Sequence, residues 1–344
     1  MTRSAKATVR PFKVPVIDIT RWEMGSARYR AAIAAQVDAA ASNIGFMQFT
    51  GHGVPESAIH GLGLALDSFF DQPLPAKRAA QGPSAGIARG YSPPSTERPA
   101  YSLGARSPGD LFEAFTVGTQ ASDHRDRALP ATDYPENIWP VGLPRFRPQV
   151  MTWFEAAQNV ARRLTRIFAV SLDLPEGFFH TYTGHSLDAL RLSSGPVVPD
   201  DPAEPDRPAM GAHTDFGILT VLWSDPVNAL QIMDHEGRWQ NVLPEPGALV
   251  VNLGDLMARW TNDRWVSAVH RVASPTDTRG HAARRRSAAF FHGGNFDALV
   301  TALPSCVDSA HPAKYPPVTI AGHISQSRGG LDAAGPKISR SRRW

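Results

Sequence analysis

The chain predicts a mainly β protein, a sandwich or jelly roll braced by helices. Three observations lead there. From about residue 187 onward the segments ALRLSS, GILTVLW, ALQIMD, RWQNVL, ALVVNLG, SAVHRV and RSAAFFH follow one another at intervals of about ten residues, each closed by turn residues. The first half instead carries helical periodicity, above all in PRFRPQVMTWFEAAQNVARRLTRIFAVSLDL (144–174), where apolar residues return every third or fourth position. No internal repeat and no clear linker separates the two halves. The helices of the first half are therefore expected to cover one face of the β core.

Taken in order, PVIDIT (15–20) reads as a short strand. SARYRAAIAAQVDAAASN (26–43) is Ala-rich and helical, ending at Asn43 before the break at Gly45. GFMQFTGHGVP (45–55) alternates into a strand and stops at a Gly-His-Gly turn, where His52 reads as structural. Pro55 marks a helix start, and Leu62, Leu64, Leu66, Phe69 and Phe70 are expected on its apolar side. Residues 75–145 are rich in Pro, Gly and Ser, and only DLFEAFTVG (110–118) looks ordered. An irregular region of that length is expected to form a functional wall or lid. GDLMARWTND (254–263) reads as a short helix between strands, and the Gly/Ser/basic end as frayed. The expected organisation is a basic tail (1–13), an amino-terminal α/β part with pocket-wall loops (14–180), a jelly-roll core (181–327) and a second basic tail (328–344).

Of 344 residues, 42% are hydrophobic, enough for a substantial core. The pI near 9.2 invites a nucleic-acid reading. Its source is in the tails: Arg3, Lys6, Arg10 and Lys13 with no acid, and Arg328, Lys337, Arg340, Arg342 and Arg343 against Asp332. The net charge is only +3, so the body between them is mildly acidic and carries no aromatic-interleaved basic surface. A nucleic-acid partner is not expected. Cys306 is the only cysteine, so no intrachain disulfide can form. No apolar leader follows the basic N-terminus, and no run reaches the roughly 18–20 apolar residues of a membrane span. A soluble cytoplasmic monomer is expected.

The chemistry is suggested by His213-Thr214-Asp215, then His270, then Arg285-Arg286-Ser287. An H-x-D pair with a distant second histidine supplies the residue types of the facial triad that holds a non-haem Fe(II) and leaves its other face open. H-x-D alone is weak. With 12 His, chance gives roughly one copy, and His124-Arg125-Asp126 is a second one in a polar, Pro-bounded stretch. His213-Thr214-Asp215 differs because it precedes FGILTVLW, a strand that can fix ligands rigidly. His270 lies in WVSAVHRVASP, another β-like segment; taken singly it is as readily a core histidine. Arg285 opens an apolar strand, where an unpaired cation is costly. Of Arg284, Arg285 and Arg286, only one needs to point inward.

The chain resembles the isopenicillin N synthase-like branch of the Fe(II)- and 2-oxoglutarate-dependent oxygenases, as a bacterial member, over nearly its whole length. VPVIDIT, NIGFMQFTGHGVP, DLFEAFTVG, LRLSSGP, GAHTDFGILTVLW, ALQIMDHEGRW, GALVVNLGDLMARWTND, AVHRVASP, RRSAAFF and SCVDSAHPAKYPPVT follow in that family's order. The resemblance implies a distorted double-stranded β-helix, a jelly roll with an amino-terminal helical part. It implies His213, Asp215 and His270 as iron ligands, and Arg285 and Ser287 as the anchor for the distal carboxylate of 2-oxoglutarate. It further implies O2 as oxidant, ascorbate as a supporting reductant, and succinate and CO2 as co-products. Asn252 suits either a support for a ligand or a strand-end turn.

One departure stands out. The family's L-R-L-x-x-Y-P segment here reads Leu190-Arg191-Leu192-Ser193-Ser194-Gly195-Pro196, with glycine where a co-substrate-binding tyrosine is usual. No Tyr lies between 183 and 314 to replace it, although Ser193 and Ser194 offer hydroxyls. The resulting expectation is a dioxygenase hydroxylating a small molecule, such as an antibiotic or other secondary metabolite. Tyr91, Tyr101 and Phe115 are expected in the substrate pocket. The rivals are an oxidase or cyclase of the same fold that uses O2 without 2-oxoglutarate, and a non-catalytic β-sandwich binding protein.

Overall fold

The computed structural model describes residues 12–82, 89–96, 110–196, 208–277, 279 and 281–329. After strand β1 (Val16–Asp18), helix α1 (Ala27–Asn43) starts at Ser26, whose hydroxyl accepts from the Tyr29 amide, the N-cap bond that satisfies an end-of-helix donor. It stops where Gly45 takes a positive φ of 71° and packs against the Val266 carbonyl, a site no side chain could occupy. Strand β2 (Phe46–Thr50) follows, then helix α2 (Glu56–Phe70), with Pro55 as its extended N-cap residue. Leu62, Leu66, Phe69 and Phe70 are buried, but Leu64 is 48% exposed. Positions two apart on a helix are some 200° around its axis, so Leu64 cannot share the face of Leu62 and Leu66.

The Pro/Gly-rich stretch holds helix α3 (Leu74–Arg78), β3 (Gly90–Ser92) and β4 (Glu113–Gly118). Helix α4 (Phe146–Ser171) buries Phe146, Val150, Trp153, Phe154, Ala157, Val160, Ala161, Leu164, Ile167 and Phe168, one stripe at helical spacing. The remaining strands are β5 (Ala189–Gly195), β6 (Met210–His213), β7 (Leu219–Ser224), β8 (Asn228–Met233), β9 (Trp239–Asn241) and β10 (Leu249–Leu253). Helix α5 (Asp255–Trp260) precedes β11 (His270–Thr276) and β12 (Arg285–His292). The small hairpin β13 (Leu299–Val300) and β14 (Val318–Thr319) leads into α6 (Ile320–Gly329).

Eight strands form one sheet in the order β1-β2-β10-β7-β12-β5-β4-β3, and four form another, β6-β11-β8-β9. Among the described strands, only β1 and β2 pair in parallel. The large sheet draws its strands from both halves of the chain. Its outer face packs on α1, α2 and α4, with Phe154 against Phe290 (5.1 Å) and Trp153 near Trp223 (6.4 Å). Its inner face meets the small sheet through Phe46, Val250, Leu230 and Ile232. The result is the expected jelly roll with helices on one side, and the side-chain period of two decides which residues face inward.

Candidate metal centre

Inside the roll, β6 and β11 pair antiparallel with His213 directly opposite His270, and their rings lie 4.3 Å apart. Asp215 stands two residues beyond His213, just before β7. The Nε2 atoms of His213 and His270 each lie 3.8 Å from Asp215 Oδ1. One ligand atom from each residue lies within 4.8 Å of the other two, the sole such grouping of three among the described residues. His124 and Asp126 belong to a surface turn away from it, where Asp126 faces Arg127.

The hydrogen bonds select which atoms remain for a metal. His213 Nδ1 bonds the Gly211 carbonyl (2.8 Å) and His270 Nδ1 the Ala268 carbonyl (3.1 Å), so each ring presents Nε2 as its lone-pair nitrogen. Asp215 Oδ2 accepts from Thr220 Oγ1 and from Asn252 Nδ2 (2.7 Å), which leaves Oδ1 turned to the two histidines. The Asp255 amide donates to the Asp215 carbonyl (2.7 Å) and fixes the loop. Phe46 supports the His270 ring edge-on at 5.3 Å. Burial, and then the neighbouring His270, push His213 down to about 4, so it is a neutral ligand at physiological pH. Burial alone would raise Asp215, but His270, His213, Thr220 and Asn252 together hold it below the usual carboxylate range. Two imidazole Nε2 atoms and one carboxylate oxygen meeting on one side of a point is the donor set that suits Fe(II).

Register separates the three arginines. Arg284 bonds Asp71 (2.7 Å), and Arg286 bonds Asp225 (3.0 Å) and Asp67 (2.8 Å). Arg285 points to the inner face, 3% exposed, opposite Gly195. It makes no ion pair or side-chain hydrogen bond among the described residues, and its Nε is buried without a partner. Burial lowers it to about 10, so it remains a cation at neutral pH. Ser287, two residues on, shares that face. An orphaned buried guanidinium beside a serine hydroxyl fits the carboxylate of a small dicarboxylic acid.

Tyr91 and Phe115 are placed elsewhere. Both lie in the main core on the outer face of the sheet, among Phe69 and Phe146, with the Tyr91 hydroxyl on Glu113 (2.9 Å). The expectation that they line the substrate pocket is thereby corrected, because strand alternation turns them away from the triad. Tyr101 lies outside the described residues. Arg191, not singled out from sequence, does reach the inner face. It pairs across β12 with Ala289, lies 3.5 Å from Asp110, and its charge bears on His213.

Known proteins agree with this geometry. The 2OG-Fe(II) oxygenase superfamily model matches residues 188–294, and a model described as non-haem dioxygenase in morphine synthesis N-terminal matches residues 14–142. A 2-oxoglutarate-Fe(II) type oxidoreductase (hxnY) of Emericella nidulans is 32% identical, over 94% of this chain and 93% of its own. The chain belongs to the 2-oxoglutarate–Fe(II) oxygenase superfamily. The oxygenase is also 33% identical to the validamycin A dioxygenase of Streptomyces hygroscopicus subsp. limoneus, over 76% of this chain and 72% of that one. In fold it is similar to a 2OG-Fe(II) oxygenase family protein from Caulobacter crescentus, with a TM-score of 0.78, covering 92% of this chain and 99% of that one, at 27% identity. Its activity is that of a 2-oxoglutarate-dependent dioxygenase using Fe(II) and O2.

Proposed function

We propose that this oxygenase hydroxylates a small polar molecule of secondary metabolism and holds 2-oxoglutarate by its far carboxylate on Arg285 and Ser287. The observation that carries the co-substrate site is the buried Arg285 guanidinium, unpaired among the described residues, on the inner face of the large sheet. A buried cation left alone costs several kcal/mol, and a carboxylate brought by a ligand removes that cost through two parallel hydrogen bonds. When bound, iron and 2-oxoglutarate supply the O2-activating chemistry. His213, Asp215 and His270 would hold the metal, and Arg285 on β12 would orient the co-substrate. Arg191, on the same face of the large sheet as Arg285, beside Asp110 and close enough for its charge to bear on His213, offers a charged anchor for the prime substrate. The likeness to the validamycin A dioxygenase supports a tailoring hydroxylation of an antibiotic or related metabolite. The assembly we propose is a monomer.

The test is turnover with Fe(II), O2 and a panel of aminocyclitols, nucleobases and amino-acid derivatives, scoring succinate against product. One succinate per hydroxylated product is expected. Arg191→Gln should raise KM for the prime substrate at least tenfold and leave KM for 2-oxoglutarate unchanged. Undiminished product without 2-oxoglutarate would overturn the co-substrate reading, and an unchanged prime-substrate KM in the variant would overturn the role of Arg191.

A further inference from the structure

Gly195 removes the side chain that would sit opposite Arg285, and its backbone φ of 151° favours glycine there. Two serines precede it, and the fold gives them different fates. Ser194 is spent: its hydroxyl accepts from Arg284 Nε (2.8 Å), and it pairs with Arg286 across the sheet. Ser193 lies on the other face, 5% exposed, directly opposite Ser287, which in turn stands opposite Ser224. Three serines therefore form one rung across β5, β12 and β7, one pleat away from Arg285. Ser224 donates its hydroxyl to the Asp225 carbonyl (3.2 Å). The hydroxyls of Ser193 and Ser287 make no hydrogen bond among the described residues.

Hydroxyls in so enclosed a place call for a partner, and among the described residues no protein group supplies one. Directly opposed residues of an antiparallel pair hold their Cβ atoms about 4.5–5.5 Å apart, close enough for both hydroxyls to reach one carboxylate. We propose that Ser193 is the third donor to the far carboxylate of 2-oxoglutarate, taking over from within strand β5 the hydrogen bond that a side chain at position 195 cannot make. The inference rests on the assignment of Arg285 and Ser287 to that carboxylate. A serine hydroxyl is short, so the bound carboxylate must lie close against the strands, in space left open by Gly195.

The experiment is anaerobic calorimetric titration of the Fe(II)-loaded enzyme with 2-oxoglutarate and with 2-oxopentanoate, which has the same chain without the far carboxylate. Ser193→Ala should weaken 2-oxoglutarate about tenfold or more, the worth of a hydrogen bond to a charged group, and leave 2-oxopentanoate unchanged. Ser193→Thr should restore the affinity, and Ser194→Ala should alter neither ligand. Equal losses for the two acids, an equal loss in Ser194→Ala, or no loss in Ser193→Ala would each overturn the proposal. A wild-type enzyme that shows no preference for 2-oxoglutarate over 2-oxopentanoate would instead overturn the Arg285 assignment itself. Circular dichroism of Ser193→Ala, matched to wild type, excludes misfolding as the cause.

Discussion

At Asp215 two histidines stop 3.8 Å short of the carboxylate; at Asp188, near the outer face of the same large sheet, His292 closes to 2.8 Å. Both groupings are buried, and both join histidine to aspartate. They differ in which atoms the protein has already used. Asp188 spends Oδ1 on Ser186 and His292 and Oδ2 on Gln158 of α4. Burial would raise Asp188, but His292, Ser186 and Gln158 hold it below the usual range. There the carboxylate is fully spent; His292 Nε2 alone stays without a partner among the described residues, so no second ligand atom accompanies it and the group serves the fold. Around Asp215 the Nδ1 atoms and Oδ2 are satisfied by the protein, while two Nε2 and Oδ1 are left facing one another. A site for a metal is therefore defined less by its residue types than by the atoms left over.

The largest expected effect separates the two groups directly. His213→Ala should abolish Fe(II) binding and turnover, while moving the stability of the metal-free protein by no more than about 1–2 kcal/mol. His292→Ala should cost about 3–5 kcal/mol, because it leaves the Asp188 carboxylate buried with one strong partner gone. Anaerobic iron titration and urea denaturation of both variants check this. A stable His292→Ala protein, or iron binding retained in His213→Ala, would break the distinction.

Arg285 and Arg286 repeat the contrast one residue apart. Arg286 is tied to Asp225 and Asp67, and those bonds hold its charge firmly, well above the ordinary arginine range. Arg285 has no such tie among the described residues, and its assignment to a ligand is our proposal. Arg285→Leu should abolish measurable 2-oxoglutarate binding yet raise the thermal midpoint of the ligand-free protein, since it deletes an unpaired buried cation. Arg286→Ala should do the reverse, lowering stability by about 1–2 kcal/mol with 2-oxoglutarate affinity unchanged. Calorimetric binding and thermal melts of the two variants decide it, and matched effects would mean that both arginines belong to one basic surface.

The same contrast explains what the sequence could and could not tell. The strand-and-turn rhythm predicted the sheets because a half-buried strand alternates visibly. The triad was legible because H-x-D, a distant histidine and an inward arginine came in order. Of the corrected pocket residues, Phe115 lies in EAFTVG, where every position is buried, and Tyr91 pairs opposite it on β3. With apolar residues on both faces, period two carries no sign of which face looks toward the iron. Strand pairing settles it: Phe115 aligns with Leu192 and Ala288, and Arg191 with Ala289 on the other side. The Asp188–His292 pair was invisible for another reason. Its members are 104 residues apart and match no motif, so only the folded chain brings them together.

The smallest expected effect concerns acid, and the two groups should respond in different windows. His213 titrates near its ordinary 6.5 when unfolded and at about 4 in the fold. Its neutral form is the one the fold accepts, so the unfolded chain binds more protons between those values. The stability it contributes is complete above about 6.5 and is lost as the pH falls toward 4, by roughly 1–3 kcal/mol. His323 of α6, lowered to about 4 by burial and by Arg259, adds to the same window. Asp188, depressed below 3.8, keeps its contribution until the pH falls beneath that value, and loses it as the pH passes its lower folded value. Urea midpoints of the metal-free enzyme should therefore show two separate acid losses. His213→Ala should shrink the first and leave the second in place, and His323→Gln should remove most of what remains of the first. Bound Fe(II) should steepen the first loss, because protons compete with the metal for the same nitrogens. An upper window left unchanged in both variants would show that neither histidine is kept neutral by the fold.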